Sequence, residues 1–303
     1  MAEAGRKNRK KLDISDLIIR GFGYVFITVI TIISLAPFLL IIGTSFSNEA
    51  IVRVSGFTMI PKQFTLEAYK LLFLNPKQIL GSYLVTIIMT AAGTLIGVSI
   101  MAMAGYALQR RDFRFRNGIS FYIYFTTLFS AGLAPFYLTM TSTYHLKDSY
   151  LAVFLPLLMS PWLIILMKNF IKSIPHEITE SGKIDGAGDM TIFVRLILPM
   201  IKPALATVGL FTALGYWNEW YYSSLFLSSR VEYYPLQYHL YNVINKAAAL
   251  NNSVAGAFVS YTNLPTETLK MATAVVVTGP IIFLYPFVQK YFIGGITIGA
   301  VKG

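Results

Sequence analysis

Four carboxylates and two cations crowd into residues 175–199: Glu177, Glu180, Asp185 and Asp189, with Lys183 and Arg195. Charged groups at this density form strong hydrogen bonds with complementary groups on a partner surface. The same stretch holds Gly182, Gly186 and Gly188 and ends in Leu198-Pro199. Pro175 suits the start of a short helix, 175–182, because its missing N–H costs nothing there. The glycines let the chain turn sharply. Asp189 suits the N-cap of a second helix, 190–198, and is expected to serve only that local turn. Pro199 ends this element or opens the next apolar segment. The spacing therefore predicts a helix-turn-helix bracket. Its Ile178, Ile192, Phe193, Leu196 and Ile197 fill a groove or pack on neighbouring helices.

Other chemistry is sparse. There is no cysteine, hence no disulfide, thiol nucleophile or thiolate-bound metal. His145, His176 and His239 are scattered, without ligand spacing. Gly182-Lys183 is followed by Ile184 and lacks the upstream glycine of a phosphate-binding loop. No nucleophile elbow occurs. Catalytic and metal-binding residues are expected to be absent. The remaining candidate is aromatic: Tyr216-Trp217-Asn218-Glu219-Trp220-Tyr221-Tyr222. Aromatic faces stack on sugar C–H surfaces, and Asn and Glu bond hydroxyls. Trp220, Tyr221 and Tyr222 read as a membrane-interface girdle. Trp217, Asn218 and Glu219 lie one step deeper and are candidates for a substrate path, and Tyr137, beside Pro135, is a further one. A carboxylate near a membrane is usually functional or paired.

The elements that position these residues follow from composition. Of 303 residues, 55% are hydrophobic and 13% charged, against about 25% charged in a soluble protein. The mean hydropathy is +0.60. Apolar runs of about 20 residues mark bilayer-spanning helices. A barrel would alternate apolar and polar residues, and no such alternation is sustained. Six spans are expected, at about 22–46, 82–108, 119–141, 151–170, 199–222 and 269–293, with a polar turn at 142–150. Basic residues gather in the arm 1–21, in Arg110, Arg111, Arg114 and Arg116, and around the 175–199 bracket. Such residues collect on the cytoplasmic side, which places both termini and the bracket there. The net charge of +11 is spread over loops, so topology explains it better than nucleic-acid binding does.

The first span is too long for a signal segment and reads as a retained, peripheral helix. Residues 10–23 suggest a short interfacial helix before it. The second span carries Ala91, Ala92, Gly93, Gly97, Ala102, Ala104 and Gly105, a small-residue stripe that lets helices approach closely in lipid. Two larger loops, 47–81 and 223–268, share the opposite side. In the first, Thr65 is expected to cap a helix; in the second, 247–250 has helical character. No internal repeat is visible, which disfavours an inverted-repeat transporter.

The stretch Glu180-Ser181-Gly182, Lys183-Ile184, Asp185-Gly186-Ala187, then Phe193 and Leu198-Pro199 resembles the conserved cytoplasmic "EAA" loop of ABC importer permeases. Ser181-Gly182 stand where that pattern has two alanines. Tyr106-Ala107-Leu108, Leu146-Lys147-Asp148-Ser149-Tyr150, Leu269-Lys270-Met271-Ala272, Tyr285-Pro286-Phe287, Gln289-Lys290-Tyr291-Phe292 and Gly299-Ala300-Val301-Lys302-Gly303 resemble carbohydrate-importer permeases of the maltose-permease type, in particular the LplC/YtcP-like group. The resemblance covers nearly the whole chain after residue 15. It implies an all-α integral membrane protein with six transmembrane helices in a permease domain at 22–293, the last five forming a type I (MetI-like) importer core.

It further implies an oligosaccharide or polysaccharide-fragment importer in the cell membrane. The expected partners are a second, homologous permease in a heterodimer, a dimeric ABC ATPase that holds ATP and magnesium, and an extracellular or periplasmic solute-binding protein. This chain is then expected to bind no cofactor and to be no enzyme. ATPase coupling falls on Glu177, Glu180, Ser181, Gly182, Asp185, Gly186, Ala187, Phe193 and Pro199. The cytoplasmic tail 294–303 is expected to reach the ATPase through Lys302 and Gly303. The competing readings are another small polar cargo such as a glycerol phosphate, a membrane-embedded polysaccharide-synthesis enzyme, and a channel.

Overall fold

The computed structural model of the protein describes residues 14–228, 232–252 and 265–282. The helices, in chain order, are α1 (Ile14–Ser45), α2 (Glu49–Ser55), α3 (Glu67–Leu72), α4 (Pro76–Gln109), α5 (Arg116–Leu128), α6 (Leu133–Leu138), α7 (Tyr150–Leu158), α8 (Pro161–Lys172), α9 (His176–Ile184), α10 (Asp189–Ile192), α11 (Leu198–Met200), α12 (Lys202–Trp217), α13 (Tyr221–Phe226) and α14 (Leu236–Asn252). A last helix, α15, runs over 266–282. Among the described residues there is no strand, and an isolated bridge pairs Ser47 with Phe64. The fold is all-α.

Three stretches are long and apolar enough to cross a membrane: Ile19–Ser45, Pro76–Gln109 and Tyr150–Lys172. Two more are bent pairs: Arg116–Leu128 with Leu133–Thr143 at 115°, and Asp189–Met200 with Lys202–Phe226 at 83°. The third expected span is therefore broken, not straight. Phe129-Ser130-Ala131-Gly132 leaves the helix, with Gly132 at φ +88°, a value that glycine adopts without a Cβ clash. The fifth span opens at Lys202, after Ile201 interrupts the helix at φ −95°, ψ 14°. The sixth is helical to residue 282, and 283–293 lie outside the described residues. The separate interfacial helix expected at 10–23 does not form over the described part, because α1 runs unbroken from Ile14.

The chain divides into two compact units, 1–72 with 254–275 and 73–253 with 276–303. In the first, α1 leaves its apolar side chains exposed, from Phe22 at 72% to Ile42 at 44%, as a peripheral helix does. Phe46 stacks on Phe64 and Tyr69, and Ser45 Oγ shares a 2.8 Å hydrogen bond with the Tyr69 hydroxyl. Thr65 Oγ1 accepts from Glu67 N–H at 3.2 Å and so caps α3. Glu49 is buried and faces the start of α15. Its carboxylate accepts from Thr266 Oγ1, Glu267 N–H, Thr268 N–H and Thr268 Oγ1 at 2.9–3.2 Å, and pairs with Arg53 at 2.9 Å.

In the second unit α4 packs against α8 and α12. Gly93 and Gly97 are buried on the face that makes this possible. A Cβ on Gly93 would meet the Tyr216 ring at 2.2 Å, and one on Gly97 would meet the Leu158 carbonyl oxygen at 2.6 Å. In lipid, where dispersion and close backbone approach drive association, such positions set the packing. Around them Met101, Ala102, Met167, Ile171, Ile192, Phe193, Ile197 and Val208 form one buried cluster. The bracket 175–199 is thus rooted in the core.

Candidate coupling site

α8 ends at Lys172, and Pro175 is the N-cap of α9, one position outside the helix that the sequence places from 175. Within α9, Thr179 and Gly182 are buried, while Glu177, Glu180, Ser181 and Ile184 are exposed. These four follow the i, i+3, i+4, i+7 spacing of one helical face. Ile184 is 85% exposed, so the face presents two carboxylates, a hydroxyl and an uncovered apolar side chain.

α9 is closed by a tight turn. Asp185 N–H donates to Ser181 O, Gly186 N–H to Lys183 O, and Ala187 N–H to Gly182 O, at 2.9–3.0 Å. Gly186, at φ +78°, supplies the left-handed residue that such an ending needs. Gly182 allows close packing: a Cβ there would meet Leu196 Cδ1 at 3.0 Å and Ile192 Cγ1 at 3.1 Å. Glycine in place of alanine therefore has a packing reason. The second helical element starts one residue earlier than expected. Gly188 is its N-cap, and α10 continues through a π-helical turn, Phe193–Ile197, into α11.

Asp189 corrects the reading from sequence. It is not the N-cap. Its carboxylate meets the Arg110 guanidinium at 2.6 Å. Arg110 also forks onto Asp112, with Nε to Oδ1 at 2.8 Å and a second contact from NH2 to Oδ2. Lys183 of α9 reaches Asp112 at 2.9 Å. Two cations and two carboxylates thus join the α4–α5 connection to both α9 and α10. Hydrogen bonds from Arg110, and then Lys183, hold the Asp112 carboxyl well below the usual carboxylate range. Asp112 and Asp189 in turn push the Arg110 guanidinium up. In the sequence Arg110 reads only as a topology marker, and the one signal for Asp112 is that it is the single acid in the basic run 110–116.

This network predicts a measurable brace. With Asp112 and Asp189 about half exposed, each pair contributes only up to about 1 kcal/mol. Arg110→Ala is expected to leave the fold intact while amide exchange over residues 183–192 speeds up about fivefold. Exchange unchanged in that segment would show that the brace carries nothing.

Phe193 faces inward. It is 6% exposed and its ring lies 5.1 Å from that of Tyr106, so it anchors the bracket from inside and presents nothing outward. Pro199 is exposed on α11.

Of the proposed substrate path, Trp217 and Glu219 are both 6% exposed. Trp217 Nε1 donates to Val277 O at 3.4 Å. The Glu219 carboxylate accepts from Tyr222 N–H, Ser223 N–H and Ser223 Oγ, capping α13. Both side chains thus spend their polar groups on local structure within this chain. Asn218 is exposed and accepts from Gln237 Nε2 at 3.2 Å. Tyr137 is half-buried and stacks on Phe226 at 5.6 Å. Lys302 and Gly303 lie outside the described residues. Among the described residues no cluster of His, Asp or Glu suits a metal ion.

Several spans packed on a glycine-lined helix, with a braced amphipathic helix at their ends, define a membrane transport subunit. The chain belongs to the family described as "Binding-protein-dependent transport system inner membrane component", which matches residues 93–297. It is 36% identical to the "Polygalacturonan/rhamnogalacturonan transport system permease protein YtcP" of Bacillus subtilis (strain 168), over 95% of this chain and 98% of the relative. It is 38% identical to "Protein LplC" of the same strain, over 89% and 90% of the two chains. Among solved structures it is similar to "a bacterial ABC transporter involved in the import of the acidic polysaccharide alginate", with 31% identity and a TM-score of 0.79, covering 96% of this chain and all of the other. The chain is a permease subunit of an ABC importer and not an enzyme. ATP hydrolysis belongs to a partner ATPase.

Proposed function

We propose that this permease serves an importer of oligosaccharides or polysaccharide fragments. It forms half of the translocation path, with a second, homologous permease as the other half of a heterodimer. A dimeric ATPase, which carries the ATP and magnesium, docks on the bracket from the cytoplasmic side, where both termini also lie. An extracellular or periplasmic binding protein hands the sugar to the loops at 47–81 and 223–268. The names of the relatives support a saccharide cargo. Of the aromatic segment, exposed Asn218, and Trp220 stacked 4.8 Å from Tyr241, retain the surface to meet a sugar.

The observation that carries the coupling role is the exposed face Glu177, Glu180, Ser181 and Ile184 on a helix held from behind by Gly182 and from the side by Lys183. Closure of the ATPase dimer moves such a helix as a body, because packed elements shift between arrangements rather than deform. Uptake by the reconstituted complex and co-purification of the ATPase test this. Glu180→Ala is expected to weaken ATPase association about thirtyfold, the cost of a central interface residue at about 2 kcal/mol, and to reduce ATP-driven uptake in step. Wild-type association together with ATP-independent uptake would overturn the coupling role.

A further inference from the structure

A cavity of about 450 Å³ lies where α4, α5, α8 and α9 end or begin, and Arg111, Arg116, Lys168 and Lys172 line it together with His176. No carboxylate lines it. Among the described residues none of these four cations is in an ion pair, whereas the adjacent Arg110 has two. Arg116 and Lys168 are held in place by neutral groups instead. Arg116 donates to Arg110 O at 3.1 Å, and Lys168 Nζ donates to Ser120 Oγ at 2.8 Å, so neither is neutralised by a carboxylate. Arg111 and Lys172 are exposed at its edge. Leu108, Ile171, Ile174 and Ile197 give it apolar walls. At 100° per residue, His176 and Thr179 point about 90° and about 150° away from the centre of the Glu177, Glu180, Ser181 and Ile184 face. The cavity and the coupling face therefore use different sides of α9.

We propose that this cavity binds the phosphate of an anionic phospholipid from the cytoplasmic leaflet. Uncompensated cations beside apolar walls, at the ends of spanning helices, match a phosphodiester joined to acyl chains. Basic pockets at this depth recognise such headgroups. A bound phosphate would tie α5 and α8 to the first turn of α9 and so make the bracket's position depend on the membrane's composition. The choice of leaflet rests on the cytoplasmic placement proposed above.

The test uses the purified complete transporter in detergent, with thermal stabilisation read against added dioctanoyl phosphatidylglycerol, dioctanoyl phosphatidylcholine or inorganic phosphate. Phosphatidylglycerol is expected to stabilise the wild type, while phosphatidylcholine and millimolar phosphate are not. Arg111→Gln with Lys172→Gln is expected to weaken that response about thirtyfold, and Arg111→Lys with Lys172→Arg to preserve it. Arg114→Gln with Lys202→Gln removes the same charge outside the cavity and is expected to change it less than threefold. Equal losses in the two charge-matched pairs, or an equal response to inorganic phosphate, would overturn the lipid site. Uptake by the same proteins reconstituted into vesicles reports on the importer reading separately, since a transporter that fails to move sugar still binds or releases lipid.

Discussion

Replacing Glu49 with alanine is expected to cost the protein about 3 kcal/mol, among the largest losses available to a single side chain here. Burial by itself pushes the Glu49 carboxyl up. Hydrogen bonds from Thr268, Arg53 and Glu267 outweigh it and leave the group below the ordinary glutamate range. Removing the carboxylate strands the N–H groups of residues 267 and 268, which open α15 and have no intrahelical acceptor. Glu49→Gln keeps the size but offers one acceptor oxygen and turns an NH2 donor toward other donors, so it should recover only part of the loss. The sign of the pH effect follows. A depressed carboxyl contributes fully above its unfolded value of about 4.3 and loses that contribution as pH falls through the folded value. Melting followed by tryptophan fluorescence in detergent checks both points. A variant that melts within a degree of wild type would show that other contacts hold α15 in place.

Gly97→Ala is expected to be nearly as damaging, at about 3 kcal/mol. The added Cβ would sit 2.6 Å from the Leu158 carbonyl oxygen, a backbone atom that cannot rotate away. Gly93→Ala meets the Tyr216 ring instead; that ring is 2% exposed and its hydroxyl is tied to Phe154 O at 2.8 Å, so it too has little room. Gly209→Ala is the control, because its Cβ would first meet Val98 Cγ2 at 3.7 Å, an ordinary contact. The two α4 variants should lose monodisperse protein on size exclusion while Gly209→Ala keeps it. Equal behaviour of all three would mean that α4 has slack that its geometry does not show.

What was legible in the sequence was whatever follows from local chemistry. The Gly93 and Gly97 spacing announced a buried face, and the glycines and acids of 175–199 announced a turn between two short helices. Thr65 announced a cap. The rest depends on partners distant in sequence. Asp189 looks like an N-cap until Arg110, far upstream, folds against it. Trp217 and Glu219 look like sugar ligands until Val277 and the backbone of α13 take up their polar atoms. The break at 129–132 escapes a hydropathy reading because Phe, Ala and Gly are apolar whether or not they are helical; Gly132 gives it away only through its φ. That Phe193 roots the bracket against Tyr106 is likewise visible only in three dimensions.

The 83° bend at Ile201 has a mechanical consequence. The segment Asp189–Met200 and the 16-residue α12 are two arms of one covalent piece, about 18 and 24 Å long. With the elbow fixed, a rigid piece of this shape would work as a bell crank. A push of about 3 Å at the end of the short arm turns the piece by about 10° and carries the far end of the long arm by about 4 Å. The stroke is slightly amplified and turned through nearly a right angle, so a thrust along one axis emerges as a sideways sweep along another.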